Sequence, residues 1–355
     1  MQQNQIQIEQ LESSILAISP IQQTNALIIL TEQAHLYYYE VELQLLKHIT
    51  LIELPDLVNQ IKNGYKQSKY KLYSSMNGLY VAVVVDYGQF GIILNTETGN
   101  IILRFDGKNY HEDTVPFSIA FTRIQNEDIV IYRSNWNRLE TFNLTNNKSS
   151  TNRNIASHDG QSEPEHYLDY FHGVLYVSPN GLHILDDGWI WHPIGIPSTW
   201  SLTEWLNKNA FESEDGASLQ KLCCRENWDL PLCWLDNDTI ALWHIELWDD
   251  DEYESINKLG IHIRSLKKGN PDLLWEMPEQ IQEIFHIYAT DKHLIVVGSE
   301  NISFYDIPSQ TLTAQLKNHR KQKQHLARNS LFSFEGKVLY EIKILFINQH
   351  IINDI

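Results

Sequence analysis

Residues 70–105 read YKLYSSMNGLYVAVVVDYGQFGIILNTETGNIILRF. Runs of β-branched and aromatic residues follow one another here: LYVAVVVD (79–86), FGIILN (90–95) and NIILRF (100–105). The turns between them, Met76-Asn77-Gly78 and Thr96-Glu97-Thr98-Gly99, contain residue types that tolerate the positive φ of tight hairpins. The stretch therefore predicts a unit of consecutive antiparallel strands joined by short turns.

Units of this kind recur along the 355-residue chain. They begin near residues 13, 70, 117, 173, 230, 284 and 329, and most contain four strands, here called a to d. A repeat of roughly 45–60 residues with four strands is typical of a β-propeller, whereas a parallel α/β fold needs a helix after each strand. We therefore predict an all-β chain, residues 1–355, folded as a single propeller domain. Seven blades are best supported, and six or eight remain open.

Helical patterns are few and fall between strands. We predict short helical insertions near 55–66 and 200–222, with weaker patterns at 278–284 and 319–328. The segment His319-Arg320-Lys321-Gln322-Lys323 is a basic cluster, which we interpret as a solvated connection between blades.

The two ends of the chain are predicted to meet in one blade. The last unit is short, with LFSF (331–334) followed by VLYEIKILFI (338–347). The N-terminal segment IQIEQL (6–11) alternates like a strand but has no partner in the first unit. Because an open blade exposes unpaired backbone groups, we expect residues 6–11 to close the ring beside 338–347.

The pattern of residues 70–105 resembles the blades of WD40-type propellers. Asn95-Thr96-Glu97-Thr98-Gly99 lies where such blades carry an Asp-x-x-Thr-Gly turn, although the Trp-Asp dipeptide is missing. The wider stretch 86–248 resembles a group of bacterial WD40-like proteins of unassigned function, through segments such as DYGQFG (86–91), SNWNRLE (134–140) and DDGWIWHPIG (186–195). The resemblance implies a fold and no particular activity.

Composition narrows the class of partner. Lys+Arg is 27 and Asp+Glu is 45, which gives a net charge of −18. This charge repels phosphate backbones and anionic membranes, so we expect neither nucleic acid nor membrane as a partner. No apolar run approaches the ~18–20 residues of a membrane span, and the N-terminus lacks a secretory pattern. With three cysteines, an odd number, we expect a reducing, cytoplasmic location.

The loops separate into two sets. The a–b and c–d turns contain turn-forming residues and little else. The b–c loops and d–a connections, which meet at the opposite end of a propeller, carry aromatic, His and carboxylate side chains. We predict that this end is a binding face. The residues assigned to it are Tyr87, His111, Asp113, Trp136, Arg138, His166, Asp169, Tyr170, His172, His192, Trp228 and Asp229.

For any one of these residues, a structural role in capping a blade or pinning a loop is an equal alternative. Among them, we expect Trp136 and Trp228 to be the main anchors. The acidic insert 249–252, Asp249-Asp250-Asp251-Glu252, would add to an acidic rim, but it lacks the residue order of a calcium loop.

Catalysis is the competing interpretation. His111, His166, His172 and His192 approach one another if the loops converge, with Glu112, Asp169 and Asp187 as acid–base groups or ligands. No tight ligand spacing such as HExxH occurs, and no nucleophile elbow, phosphate loop or dinucleotide fingerprint is present. We therefore assign no catalytic residue, expect no metal and no cofactor, and keep a hydrolase or lyase at the mouth of the central channel as the alternative.

The leading hypothesis is a non-catalytic scaffold that presents one aromatic and acidic loop face to a protein partner. The acidity favours a basic partner. Neutralisation of a basic protein, as an immunity protein does for a toxin, is a specific version of this hypothesis. We expect the protein to act as a monomer.

Overall fold

A computed structural model gives the architecture. It describes residues 1–55, 57, 66–151, 153, 163–191, 194–226, 228–244, 260–267, 269–277, 283–318 and 323–344. Seven antiparallel sheets, each built on four hydrogen-bonded strands, form the seven blades of a β-propeller. This confirms the predicted fold class and blade number.

The strands of the N-terminal part follow in chain order. Strand β1 is Gln2–Gln7. Blade 1 comprises β2 Ile15–Pro20, β3 Ala26–Thr31, β4 His35–Glu40 and β5 Leu45–Leu51. Blade 2 comprises β6 Lys69–Ser74, β7 Tyr80–Asp86, β8 Phe90–Asn95 and β9 Ile101–Asp106. Blade 3 comprises β10 Ile119–Ile124, β11 Glu127–Asn135, β12 Arg138–Asn143 and β13 Lys148–Ser149.

Blade 4 is the irregular one. It comprises β14 Phe171–Val177, β15 His183–Ile190, β17 Ser198–Ser201 and β18 Gln220–Lys221, with the short strand β16 Ile194–Gly195 also paired to β15. Two short helices, α1 Leu202–Asn207 and α2 Glu212–Asp215, are inserted between β17 and β18. The Ser201 hydroxyl accepts a hydrogen bond from the Glu204 N–H and caps α1.

The C-terminal part completes the ring. Blade 5 comprises β19 Leu232–Trp234, β20 Thr239–Trp243, β21 Gly260–Ser265 and β22 Leu273–Glu276. Blade 6 comprises β23 Ile284–Ala289, β24 His293–Gly298, β25 Asn301–Asp306 and β26 Thr311–Lys317. Blade 7 comprises β27 Lys323–His325, β28 Ser330–Glu335, β29 Val338–Lys343 and the N-terminal strand β1.

Ring closure by the N-terminus is confirmed, with different strand limits. Strand β1 pairs antiparallel with β29, Ile6 opposite Leu339, and spans Gln2–Gln7 where residues 6–11 were predicted. The difference arises because Ile8 and Leu11 leave the sheet and pack into the core between blades 7 and 1. The apolar residues Ile8 and Leu11 of the segment 6–11 are therefore buried in the core, and the β1–β29 pairing does not continue through them.

The start of the last blade also differs from the prediction. Its innermost strand is β27, Lys323–His325, so LFSF (331–334) lies in the second strand of the blade. Lys323 therefore belongs to a strand and not to a connection, while residues 319–322 lie outside the described residues. A three-residue strand without an aliphatic side chain carries no hydrophobic signal, which explains the error.

The core consists of one hydrophobic cluster at each of the seven interfaces between neighbouring blades. The b strands are sandwiched between two blades and are buried on both faces, as in β3 and β7. Seven aliphatic side chains on the b strands of blades 2, 3 and 6 are at most 4% exposed: Val81, Val83, Val85, Ile129, Ile131, Leu294 and Val296.

The turn chemistry also agrees with expectation. Gly78 and Gly181 have φ values of 75° and 76° in the a–b turns of blades 2 and 4, a conformation that favours glycine. In the c–d turn of blade 2, the Asn95 side-chain carbonyl accepts hydrogen bonds from the N–H groups of Glu97 and Thr98. The helical segment predicted near 55–66 lies almost entirely outside the described residues, as do most of 278–284 and residues 319–322.

Candidate functional site

Seven aromatic rings from the connections and strand ends of blades 2 to 5 contact one another. We call them the aromatic cluster: Tyr110, His111, Trp136, Phe171, Trp189, Trp191 and Trp228. They come from blades 3 and 4 and from the connections between blades 2 and 3 and between blades 4 and 5, so the ring of blades and not local sequence brings them together.

The base of the cluster is a stack of three rings. The Phe171 and Trp189 rings are nearly parallel, with centroids 4.0 Å apart, and the Trp228 ring stacks on the other side of Trp189 at 5.2 Å. Phe171 and Trp189 are 1% and 3% exposed. The Trp228 indole N–H donates to the Thr114 carbonyl at 3.2 Å. Two rings of the base are therefore buried, and the third, half-buried Trp228, is held by its hydrogen bond.

The top of the cluster reaches solvent. Tyr110 is 47% exposed and Trp191 is 41% exposed. The Trp191 ring stands edge-on to both His111 and Phe171, with centroids 5.1 and 5.2 Å apart. Tyr110 packs on Trp136 at 5.4 Å and over Phe171 at 6.0 Å. Two large exposed rings are thus held in place by buried ones beneath them.

Two glycines explain how the base forms. Phe171 and Trp189 lie directly opposite each other on β14 and β15, next to an irregularity between Phe171 and Val174. A Cβ atom on Gly173 would lie 1.8 Å from the Asp187 carbonyl oxygen, and one on Gly188 would lie 2.3 Å from the Phe171 carbonyl oxygen. Only glycine at these positions lets the two strands approach closely enough to stack the rings.

Three of the predicted site residues are buried and have structural partners. The Tyr170 hydroxyl accepts from the Gly188 N–H at 2.9 Å and donates to the Ile196 carbonyl at 3.0 Å. His172 Nδ1 lies 2.5 Å from Asp186 Oδ2, and both residues are inaccessible. Tyr87 is 5% exposed. These three side chains support the loops and offer no contact surface, which corrects their assignment to the binding face.

Tyr87 belongs to a small polar group with Asp229 and Lys66. Its hydroxyl donates to Asp229 Oδ2 at 2.8 Å, and Lys66 contacts both side chains. Burial, reinforced by the negative charge of Asp229, raises the pKa of Tyr87, so the phenol stays protonated. Nearby, buried Arg225 pairs with Asp187, whose pKa is raised to about 7 by burial against the effect of the guanidinium.

Two further predicted residues, His166 and Arg138, contact other side chains. His166 stacks on Phe211 at 3.7 Å and its Nδ1 lies 2.8 Å from Asp215 Oδ2. Arg138 begins β12 and pairs with Glu140 at 3.4 Å. His192 and the insert 249–252 lie outside the described residues.

Carboxylates surround the aromatic cluster. Asp113 is half-buried and Asp169 is exposed, and Glu163, Glu165 and Glu226 in the same d–a connections are also exposed. In the described parts of these connections, 107–118, 163–170, 222–226 and 228–231, acidic residues outnumber basic ones. The described parts of these connections therefore carry a net negative charge.

His111 and Trp136, both assigned to the binding face from sequence, belong to the aromatic cluster, whereas the rings at its centre were not assigned. Phe171 lies in the same d–a connection as Tyr170 and His172, and Trp189 and Trp191 lie in DDGWIWHPIG (186–195), but none of the three was assigned to the binding face. The available signal was the alternation Trp189-Ile190-Trp191 at a strand end, which places two indoles on one side of the sheet.

The described histidines of the catalytic alternative do not converge. His111 contacts aromatic rings, His166 contacts Phe211 and Asp215, and His172 is buried against Asp186. Across the described part of the chain, no group of three His, Cys, Asp or Glu residues is arranged to hold a metal ion. Among the described helices, none has the length and apolar character required to cross a bilayer.

Comparison with solved structures places this fold among WD40 propellers. The structure of U3-55K superposes with a TM-score of 0.55 at 11% identity, covering 96% of this chain and 98% of that one. The crystal structure of the RRP9 WD40 repeats gives 0.54 at 10% identity, covering 96% and 97%. A chain in the crystal structure of the mitotic checkpoint complex gives 0.54 at 10% identity, covering 97% and 95%.

No protein-family model and no curated protein sequence matches the chain. At these identities the structural likeness shows the fold, and function has to be argued from the site.

Proposed function

We propose that the protein is a non-catalytic scaffold that binds a protein partner through the aromatic cluster. The observation that carries the proposal is the pair of exposed rings, Tyr110 and Trp191, fixed on a buried stack. Large rings bury much area on binding, and rings that are already immobilised lose little conformational entropy. One structural neighbour comes from a multiprotein complex, the mitotic checkpoint complex, and its presence there is consistent with a binding role for that neighbour.

The acidic rim favours a basic partner. Exposed Asp169 and its neighbours in the d–a connections would attract opposite charge during encounter, in a molecule whose net charge is −18. Within this proposal, the partner is a basic protein that is sequestered or neutralised, and the scaffold acts as a cytoplasmic monomer.

The anchors differ from those expected from sequence. Trp136 and Trp228 are half-buried and form part of the support, so their replacement is expected to affect stability as well as binding. Replacement of exposed Tyr110 or Trp191 is instead expected to weaken binding without lowering stability.

The test is affinity capture from the native cell with wild-type protein and with the Tyr110→Ala and Trp191→Ala variants, followed by affinity measurement on the captured partner. Each substitution should weaken binding by about 2 kcal/mol, or roughly 30-fold, with an unchanged melting temperature. Leu312→Ala is the matched control, since Leu312 is 51% exposed on the outer strand of blade 6.

A partner captured equally by wild type, both aromatic variants and the control would show that the cluster is not the binding surface. The rim is tested separately with Asp169→Asn. This change should slow association and leave dissociation nearly unchanged, with a smaller effect at high salt.

A further inference from the structure

Two histidines on blade 1 contact each other through their ring nitrogens. His35 lies on β4 and His48 on β5, and His35 Nδ1 is 2.9 Å from His48 Nε2, with the ring centres 5.0 Å apart. Strand β5 lies at the outer edge of its four-stranded sheet. His48 is exposed and His35 is half-buried. We call these two residues the histidine pair, and solvent reaches it directly.

The separation of the two nitrogens matches that of neighbouring ligands around one metal ion. A histidine nitrogen binds a divalent transition metal at about 2.0–2.1 Å. Two such nitrogens are about 2.9 Å apart when the angle at the metal is about 90°, and about 3.3 Å apart when the angle is tetrahedral. The observed distance of 2.9 Å corresponds to adjacent positions of a square-planar or octahedral ion. Cu²⁺ and Ni²⁺ take such geometries with imidazole ligands, whereas Zn²⁺ is usually tetrahedral.

A third ring packs against the histidine pair. Tyr37 is 9% exposed and lies directly opposite His48 in the β4–β5 ladder, and the two rings stand edge-on with their centres 5.2 Å apart. The Tyr37 hydroxyl donates to Glu12, and the Thr31 hydroxyl donates to the other carboxylate oxygen of Glu12 at 2.7 Å. His48 therefore rests on a neighbour that is itself held by a hydrogen bond. Because the ring is supported in this way, it loses less side-chain entropy when it binds a ligand.

We propose that the histidine pair binds a divalent transition-metal ion of the Cu²⁺ or Ni²⁺ class, with water in the remaining coordination positions. The metal takes the place of the hydrogen atom in the present hydrogen bond between the two nitrogens. The ring that donates this hydrogen releases a proton from that nitrogen and takes one up on its other nitrogen, so both imidazoles bind in the neutral form. A site with two protein ligands is compatible with the finding that the described residues contain no metal-holding group of three His, Cys, Asp or Glu.

A bound metal would have a structural effect on blade 1. It would join β4 to the edge strand β5 through His35 and His48, in addition to the backbone hydrogen bonds of the ladder. A ligand that binds only the folded protein stabilises it, so the metal should raise the melting temperature. The net charge of −18 favours the approach of a cation. This site lies on a different blade from the aromatic cluster and does not depend on the proposed function.

The experiment is calorimetric titration of the full chain with NiCl₂, together with electron paramagnetic resonance of the protein loaded with Cu²⁺. The double variant His35→Asn/His48→Asn measures metal binding by all other groups. We expect the wild type to bind one more equivalent than the double variant, and its copper spectrum to show splitting by two further nitrogens. His48→Asn should weaken binding at least about tenfold, since even the loss of an outer-shell partner of a metal ligand costs about 10–100-fold. The matched control is Lys47→Gln, because Lys47 is exposed next to His48 on β5 and its replacement leaves both imidazoles in place.

Melting temperatures protect the test against misfolding. Without metal, His48→Asn should melt with the wild type, because His48 is exposed; with Ni²⁺, the wild type and Lys47→Gln should melt at a higher temperature and His48→Asn should not. His35→Gln should lose binding in the same way, and it decides the outcome if His48→Asn is less stable than expected. Equal Ni²⁺ affinity in the wild type and both single variants, or no binding beyond that of the double variant, would overturn the proposal. Tighter binding of Zn²⁺ than of Ni²⁺ to the histidine pair would contradict the assigned coordination geometry.

Discussion

Removal of the N-terminal strand should destabilise the whole ring. We consider deletion of residues 1–11, which spares Glu12, whose carboxylate accepts hydrogen bonds from Thr31 and Tyr37. The deletion strips β1 from β29 and removes Ile8 and Leu11, each 1% exposed, from the core between blades 7 and 1.

The magnitude follows from these two side chains. Burial of one such aliphatic side chain contributes about 1.5–3 kcal/mol, so the pair contributes about 3–6 kcal/mol. The strand itself adds less, because most of its side chains are exposed and water replaces its hydrogen bonds after deletion. We therefore expect the free energy of unfolding to fall by about 3–6 kcal/mol.

Chemical denaturation of the truncated and full-length proteins measures the change. Gln5→Ala in the full-length chain is the control, because Gln5 is exposed on β1 and should leave stability unchanged. A synthetic peptide of residues 1–11 added to the truncated protein should restore part of the stability. An unchanged unfolding midpoint after truncation would refute the role of this strand in holding the ring closed.

Two further predictions concern the core and the pH dependence of stability. Val83→Ala should lower the free energy of unfolding by about 1–4 kcal/mol, because Val83 is fully buried between blades 1 and 2; a near-neutral result by denaturation would contradict this packing. His325→Gln should flatten the loss of stability between pH 6.5 and pH 4. Burial lowers the pKa of His325 to about 4 beside Arg328 and Glu341, so neutral His325 stabilises the fold above its unfolded pKa of about 6.5 and this contribution is lost as the pH falls. Glutamine can still donate to the Ala26 carbonyl, which lies 3.1 Å from His325 Nε2, and equal slopes for both proteins in melting curves would rule out this assignment.

The fold was predictable because each b strand is buried on both sides. LYVAVVVD (79–86) is almost continuously hydrophobic, and its limits nearly coincide with β7. Short inner strands gave no such signal, as Lys323–His325 shows. The number of blades was therefore predictable from the buried strands, whereas the start of the last blade was not.

The site was predictable only as a region. Sequence position identifies a residue in a loop at a given end of the ring, and on this basis His111 and Trp136, which belong to the aromatic cluster, were assigned to the binding face. Exposure depends on neighbours from other blades, and for this reason the burial of Tyr87 and Tyr170 could not be anticipated. The stacking of Phe171 on Trp189 depends on cross-strand register and on two glycines, and neither is visible in hydrophobic periodicity.

The joining of both chain ends in blade 7 has a consequence for synthesis. Strand β1 leaves the ribosome long before its partner β29: Asn4 and Glu341, which are hydrogen-bonded, are 337 residues apart. Blades 1 to 6 can form as the chain emerges, yet the ring stays open until β29 is made. Contacts between such distant residues slow folding, and until β29 is made the unpaired edge of β1 can pair with an incorrect strand. Nascent chains of this protein should therefore be most prone to aggregate just before the last blade is completed.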